Sequence, residues 1–189
     1  MKLDEADREA RTLRTGRLTL GSMILAVMMV FASVVPAHAD YYSGGMPSTK
    51  FTVRYVGVNP TWTKHFDDSR ARWNKTSGTG VNIGKSSGAA ATMTAARYDQ
   101  SWYGLYSPSG IRNINRAFTI KVNAKKLSAD AGSNLSKWID STSTHELGHA
   151  LSLADNPNTS KASLMKHSRN RTTVIKPQSY DISEVKRIY

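Results

Sequence analysis

Residues 51–58 alternate: Phe51, Val53, Tyr55 and Gly57 fall on one side, and Thr52, Arg54, Val56 and Val58 on the other. Period two with β-branched and aromatic residues predicts a strand. Asn59-Pro60-Thr61 follows, with Asn or Thr as cap and proline in the first turn, and predicts a helix through about Lys75. Trp62, Phe66, Ser69 and Trp73 recur along it at helical spacing and read as core. Gly78 and Gly80 end that segment. Then come a short strand over 80–83, a loop over 84–88 and a strand of small residues over 89–98. The stretch 102–106 is short and aromatic, and the turn Ser107-Pro108-Ser109-Gly110 follows it. Residues 111–116 form a polar link. Residues 117–123 alternate again, with Phe118, Ile120 and Val122 on one face. Two segments show no periodicity: 125–132 reads as a connection, and 41–50, with its Gly, Ser and Pro, as a loose arm.

A longer helix starts between Ser133 and Ser141, where several caps are available, and runs to about Leu153. Leu147, Leu151 and Ala154 lie at i, i+4 and i+7 and face the core. His145, Glu146 and His149 take the other side. Residues 155–162 are loop, Ser163-Leu164-Met165 is a small apolar patch, and 166–178 is basic and irregular. Residues 179–189 predict a closing helix, with Ile182, Val185 and Ile188 or Tyr189 on one face. The pattern predicts an α+β domain. A twisted mixed sheet of about five strands is backed by two long helices, with a short lower part after Asp155 and a final helix.

The chemistry concentrates in 145–155, which reads HELGHALSLAD. Two histidines four apart share one helical face, so their imidazoles can grip one metal ion. Glu146 then stands beside that ion without ligating it. This is the H-E-x-x-H arrangement of zinc hydrolases, with glutamate as general base. A catalytic zinc takes three protein ligands and keeps an open position. Asp155, six residues past His149, lies where the chain can turn back to the metal. The alternative is an ordinary loop aspartate, but no other carboxylate or histidine is as well placed.

The leader changes the setting. Basic residues precede an uncharged apolar run, Leu18–Val35, which ends in Pro36-Ala37-His38-Ala39 before Asp40. A charged start, an apolar run and an A-x-A site predict a signal peptide over 1–39 and a secreted domain over 40–189. An uncleaved N-terminal membrane anchor facing outside is the alternative reading. The chain has no cysteine, so neither a disulfide framework nor a cysteine-based latency device is available to it. Its net charge of +12 suggests attraction to anionic surfaces such as a bacterial cell wall. No basic block with interleaved aromatics stands out, so no specific nucleic-acid partner is expected.

HELGHALSLAD, followed by Ser163-Leu164-Met165, resembles the metzincin metallopeptidases. Their pattern is an extended HExxHxxGxx(H/D) motif followed by a methionine-containing turn under the metal. The Asp version of the third ligand is similar to that of snapalysin-type small bacterial proteases. Pro177-Gln178-Ser179-Tyr180-Asp181-Ile182 with Val185 and Ile188-Tyr189 resembles the C-terminal helix of matrixin-like members. The resemblance implies a zincin fold with an active-site helix, a methionine turn and a C-terminal helix. It implies one catalytic zinc on His145, His149 and Asp155, Glu146 as base, and Met165 as the hydrophobic floor. It also implies that 102–110 forms the antiparallel edge strand above the cleft, which pairs with an extended polypeptide substrate.

Two positions depart from the family pattern. The motif's glycine is Ser152, where the helix must end in a positive-φ residue; serine there costs about 1 kcal/mol. His167 stands two residues after Met165, where several metzincins carry a tyrosine; it could donate to the oxyanion or approach the zinc, or be a surface histidine of a basic loop. The segments that bind structural calcium and zinc in matrixins are missing, so no second metal is expected. The implied function is a monomeric, secreted zinc endopeptidase of a Gram-positive bacterium. Zinc would bring the pKa of its water to about 7, and Glu146 would take the proton. An inactive zincin scaffold that binds an anionic wall, and a hydrolase of cell-wall peptides, are the alternatives. The side-chain preference of the cleft would be set by the irregular 156–176 stretch.

Overall fold

The computed structural model describes residues 40–189. The leader and its A-x-A site lie outside the described residues. Five strands form one mixed sheet: β1 (Lys50–Tyr55), β2 (Asn82–Lys85), β3 (Ala91–Ala96), β4 (Gly104–Ser109) and β5 (Ala117–Asn123). Their order is β2-β1-β3-β5-β4. All neighbours are parallel except β4, which runs antiparallel to β5 at the edge. Four helices complete the described residues: α1 (Pro60–Asn74), α2 (Ala124–Asp130), α3 (Leu135–Ala150) and α4 (Ser179–Ile188). The α+β class and the five-stranded mixed sheet are therefore as the hydrophobic pattern predicts. Among the described residues no helix is long and apolar enough to cross a membrane.

The pleat of β5 shows why alternation is informative here. Phe118, Ile120 and Val122 are buried while Thr119 and Lys121 are half-buried. The next residue, Asn123, does two jobs. Its side-chain oxygen caps α2 through the Lys126 amide (3.2 Å), and its amide nitrogen donates to the carbonyls of Gln100 (2.9 Å) and Trp102 (3.1 Å). The loop entering β4 is thus tied to the end of β5.

Helix α1 opens as expected, with Asn59 accepting from the Trp62 amide (3.1 Å) and Pro60 in the first turn. Its buried face, Phe66, Ser69 and Trp73, lies against α3. Trp73 Nε1 donates to the Thr144 carbonyl (2.8 Å). Asp140 of α3 accepts from Arg72 Nη2 (2.7 Å) and pairs with His65 Nδ1 (2.7 Å), both on α1. Helix α3 is buried almost all round from Ile139 to Gly148, with small polar residues where an amphipathic helix would show a solvent face. It is clasped between α1, the sheet and the irregular chain that follows it.

Several expectations need correction. Residues 125–132 hold a helix, α2, which periodicity missed because it is only two turns long with a single buried apolar residue, Leu127. Residues 107–109 continue β4, because proline is tolerated on an edge strand, where no ladder partner needs its missing N–H. Helix α3 ends at Ala150, three residues earlier than expected. The segment 40–49 is no loose arm. Tyr41 bridges Leu153, the Tyr42 amide donates to the Ser152 carbonyl (2.7 Å), and the Met46 amide donates to the Ala150 carbonyl (2.8 Å).

Candidate metal centre

The C-terminal end of α3 decides where Asp155 falls. The Leu153 amide donates to the Gly148 carbonyl and the Ser152 amide to the His149 carbonyl, both at 3.0 Å, with Ser152 at φ +62°. This is a Schellman ending with serine in the left-handed position. Ser152 is fully buried, and its hydroxyl accepts from Arg112 Nη1 (2.9 Å) and bonds the Tyr189 hydroxyl (3.0 Å). A charged hydrogen bond of this kind offsets the roughly 1 kcal/mol of left-handed strain. Serine is thereby accommodated in a position that suits glycine, and the chain reverses after the helix.

The reversal brings Asp155 to the imidazoles. Asp155 Oδ1 lies 3.1 Å from His145 Nε2 and 3.5 Å from His149 Nε2. It also lies 2.9 Å from His167 Nε2, so His167, read from sequence most simply as a surface residue, joins the cluster although its side chain is 58% exposed. His145, Asp155 and His167 offer donor atoms close enough together to hold a metal ion, and His149 stands one helical turn from His145.

Each helical imidazole is oriented from behind. His145 Nδ1 donates to the Leu164 carbonyl (3.0 Å) and His149 Nδ1 to the Leu153 carbonyl (2.9 Å). A carbonyl only accepts, so each ring holds a proton on Nδ1 and turns Nε2 toward Asp155. Burial drives the His145 pKa down to about 3, with Arg169 adding to the effect, so this ring is neutral. For Asp155 burial acts upward, but the imidazoles facing it outweigh this and hold the carboxyl well below the usual carboxylate range, with His149, whose own pKa is raised against its burial by Asp155 and Glu146, as the ring that can carry the positive charge. A neutral imidazole lone pair and a carboxylate oxygen 3.1 Å apart repel unless a cation lies between them. Ligands about 2.0–2.2 Å from one tetrahedral zinc stand roughly 3.3–3.6 Å from each other, close to the 3.1 and 3.5 Å seen here. The donor set fits such an ion.

Glu146 adjoins this cluster, and burial pushes its carboxyl up to about 7, against the opposing pull of His149. Its space is made by Gly104 of β4: a Cβ there would stand 2.4 Å from Glu146 Oε1. A similar close approach explains the glycine inside HELGH. A Cβ on Gly148 would stand 2.5 Å from Met165 Sδ. Met165 is buried on that side of α3, and its turn is held by α4. Asp181 accepts from Ser163 Oγ (2.6 Å) and the Leu164 amide (2.8 Å). One carboxylate therefore fixes the turn whose carbonyl orients His145.

A cleft of about 600 Å³ runs over these groups between β4 and the chain after Asp155. Sequence reasoning missed several of its walls. Tyr42 packs edge-on against His149 (5.7 Å between ring centres) and Tyr106 (5.8 Å), in a segment with no periodicity to flag it. Arg169 and Arg171 line one end, within the stretch expected to form the wall. Nothing in their spacing marked them out from the other basic residues nearby.

No protein-family model matches the chain, and no curated protein matches it. Among solved structures it is similar to a chain of the GM1-bound form of the ECX AB5 holotoxin, at 15% identity and a TM-score of 0.52, over 80% of this chain and 86% of that one. It is also similar to archaemetzincin from Methanopyrus kandleri, at 12% identity and a TM-score of 0.49, over 75% of this chain and 96% of that one. The first likeness is one of fold alone.

Proposed function

We propose that the protein is a zinc-dependent endopeptidase of metzincin type, secreted through the leader 1–39. The observation that carries the reading is the trio of His145, His149 and Asp155. Two imidazoles tied at Nδ1 to main-chain carbonyls turn Nε2 toward one carboxylate oxygen, with Glu146 beside them. A zinc ion held there would polarise the scissile carbonyl and acidify an attacking water.

The chain's own residues do the rest. Glu146 takes the proton of the attacking water and passes it to the leaving amine. Burial raises the affinity of its carboxylate for that proton. The free edge of β4 offers main-chain groups to an extended peptide, which adds as a further strand and lays its scissile bond over the helix. His167 meets Asp155 from the solvent side, where it either adds a donor to the metal or donates to the oxyanion. The His167→Ala variant separates the two: weaker zinc affinity marks a ligand, and lower kcat with unchanged zinc affinity marks an oxyanion donor. Secretion rests on the leader's pattern, and attachment to an anionic wall on the charge of +12.

The testing experiment is hydrolysis of an unfolded protein by the purified chain, with a chelator and Glu146→Ala as controls. Cleavage that both controls abolish, and that zinc restores after chelation, is the expected result. One bound zinc without any cleavage, on proteins or on cell-wall peptides, would favour an inactive binding scaffold.

A further inference from the structure

One end of the cleft carries two guanidinium groups with no ion-pair partner among the described residues. Arg169 is 8% exposed, yet its hydrogens go to neutral acceptors: Ser141 Oγ (3.0 Å), the Ser141 carbonyl (3.5 Å) and the Lys166 carbonyl (3.0 Å). Glu146, Asp155 and Asp181 feel its charge without bonding it. Arg171 is half-buried, its guanidinium 4.7 Å from the Tyr103 ring centre and 5.5 Å from that of Trp138, which fixes its plane against two aromatic faces. Its Nε is buried and has no hydrogen-bond partner. Thr142, one turn before Glu146 on α3, lines the same end, and its Oγ1 is also buried without a partner.

A buried cation bonded only to neutral acceptors and two buried polar atoms without partners are each costly, and their place along one cleft calls for a ligand that satisfies them. A carboxylate does so. It accepts from two guanidinium groups and from a hydroxyl, and it gives them the directly bonded anion that no carboxylate of the described residues provides. A neutral or basic side chain would leave the cations uncompensated.

We propose that Arg169, Arg171 and Thr142 form a carboxylate-binding subsite beside the scissile position, so that the cleft selects peptides with a carboxylate next to the bond that is cut. The inference rests on the peptidase reading for the use made of this site. The carboxylate comes from an Asp or Glu side chain or from the substrate's own C-terminus, and both sources present the same group.

The test is binding of fluorescent peptides to the full chain carrying Glu146→Ala, with zinc added, so that bound peptide stays intact. A peptide with one Glu is compared with its Gln counterpart, the residue being moved along the sequence, and a third series carries free or amidated C-termini. At one position the Glu peptide, or the free terminus, should bind roughly tenfold or more tightly. Arg171→Gln should erase that gap, and Thr142→Val should reduce it if Arg171→Gln does not fold. The unaltered chain should show the same positional preference in cleavage of the mixed peptides. Equal binding of Glu and Gln at every position would overturn the proposal. So would an equal gain at all positions, which diffuse attraction to a basic protein would produce. Cleavage without preference sinks the subsite and leaves the peptidase. Arg171-dependent binding without any cleavage does the reverse.

Discussion

His145, Glu146 and His149 come from one helix, whereas Asp155, Met165, His167, Arg169 and Arg171 come from residues 151–178, which contain neither helix nor regular strand. On the helix, the relation between the metal-facing groups is set by backbone hydrogen bonds within a few residues. In the irregular part, the candidate residues are placed mostly by groups outside their own turn. Arg112 and Tyr189 hold Ser152, the segment 40–46 straps the turn from Ala150 to Ala154, and Asp181 holds the methionine turn. Even His167 is set by Asn156, whose side-chain oxygen accepts from the His167 amide (2.7 Å). The spacing of the helical groups along α3 should therefore survive changes elsewhere in the chain, whereas the orientation of their side chains and the placing of the irregular half should respond to changes far away.

Substitutions at four positions break or sharpen this contrast. The largest effect belongs to the helix: Glu146→Gln should lower kcat by about 10²–10⁴-fold while zinc stoichiometry and melting temperature hold, because it removes a proton acceptor and no ligand. Gly104→Ala comes next. Its methyl overlaps Glu146 Oε1 and should push the base aside, with a loss of about 100-fold in kcat/KM but an intact metal site. Asp181→Asn touches no metal ligand, yet it should weaken zinc binding about tenfold by titration with a competing chelator, because it loosens the turn that orients His145. The smallest effect separates strain from bonding at Ser152. Ser152→Ala and Ser152→Gly both lose the Arg112 and Tyr189 bonds, and glycine should recover about 1 kcal/mol over alanine in denaturant unfolding. Equal stabilities would mean that the left-handed serine carries no strain.

The same contrast explains what could be read from sequence. The strands at Phe51 and Phe118, the capped helix at Asn59 and the spacing of His145 and His149 are local patterns of period two or four, and they stand in the structure where the pattern put them. Asp155 was legible by its offset from His149, since a helix end followed by a short reversal has few places to send a carboxylate. His167, Tyr42, Arg169 and Arg171 were not, because their placing depends on which faces the irregular chain turns inward, and that is decided by Asp181 and Arg112 from elsewhere in the chain and by Asn156 across the loop. Helix α2 escaped because two turns with one buried leucine carry no period.

The central claim is that one zinc ion sits on His145, His149 and Asp155. The most direct measurement is anomalous diffraction at the zinc absorption edge from crystals of the zinc-loaded protein. A single peak about 2.0–2.2 Å from His145 Nε2, His149 Nε2 and an Asp155 carboxylate oxygen is the predicted result. A peak held by His145, Asp155 and His167 with His149 left aside, or no peak in the cleft, would contradict it.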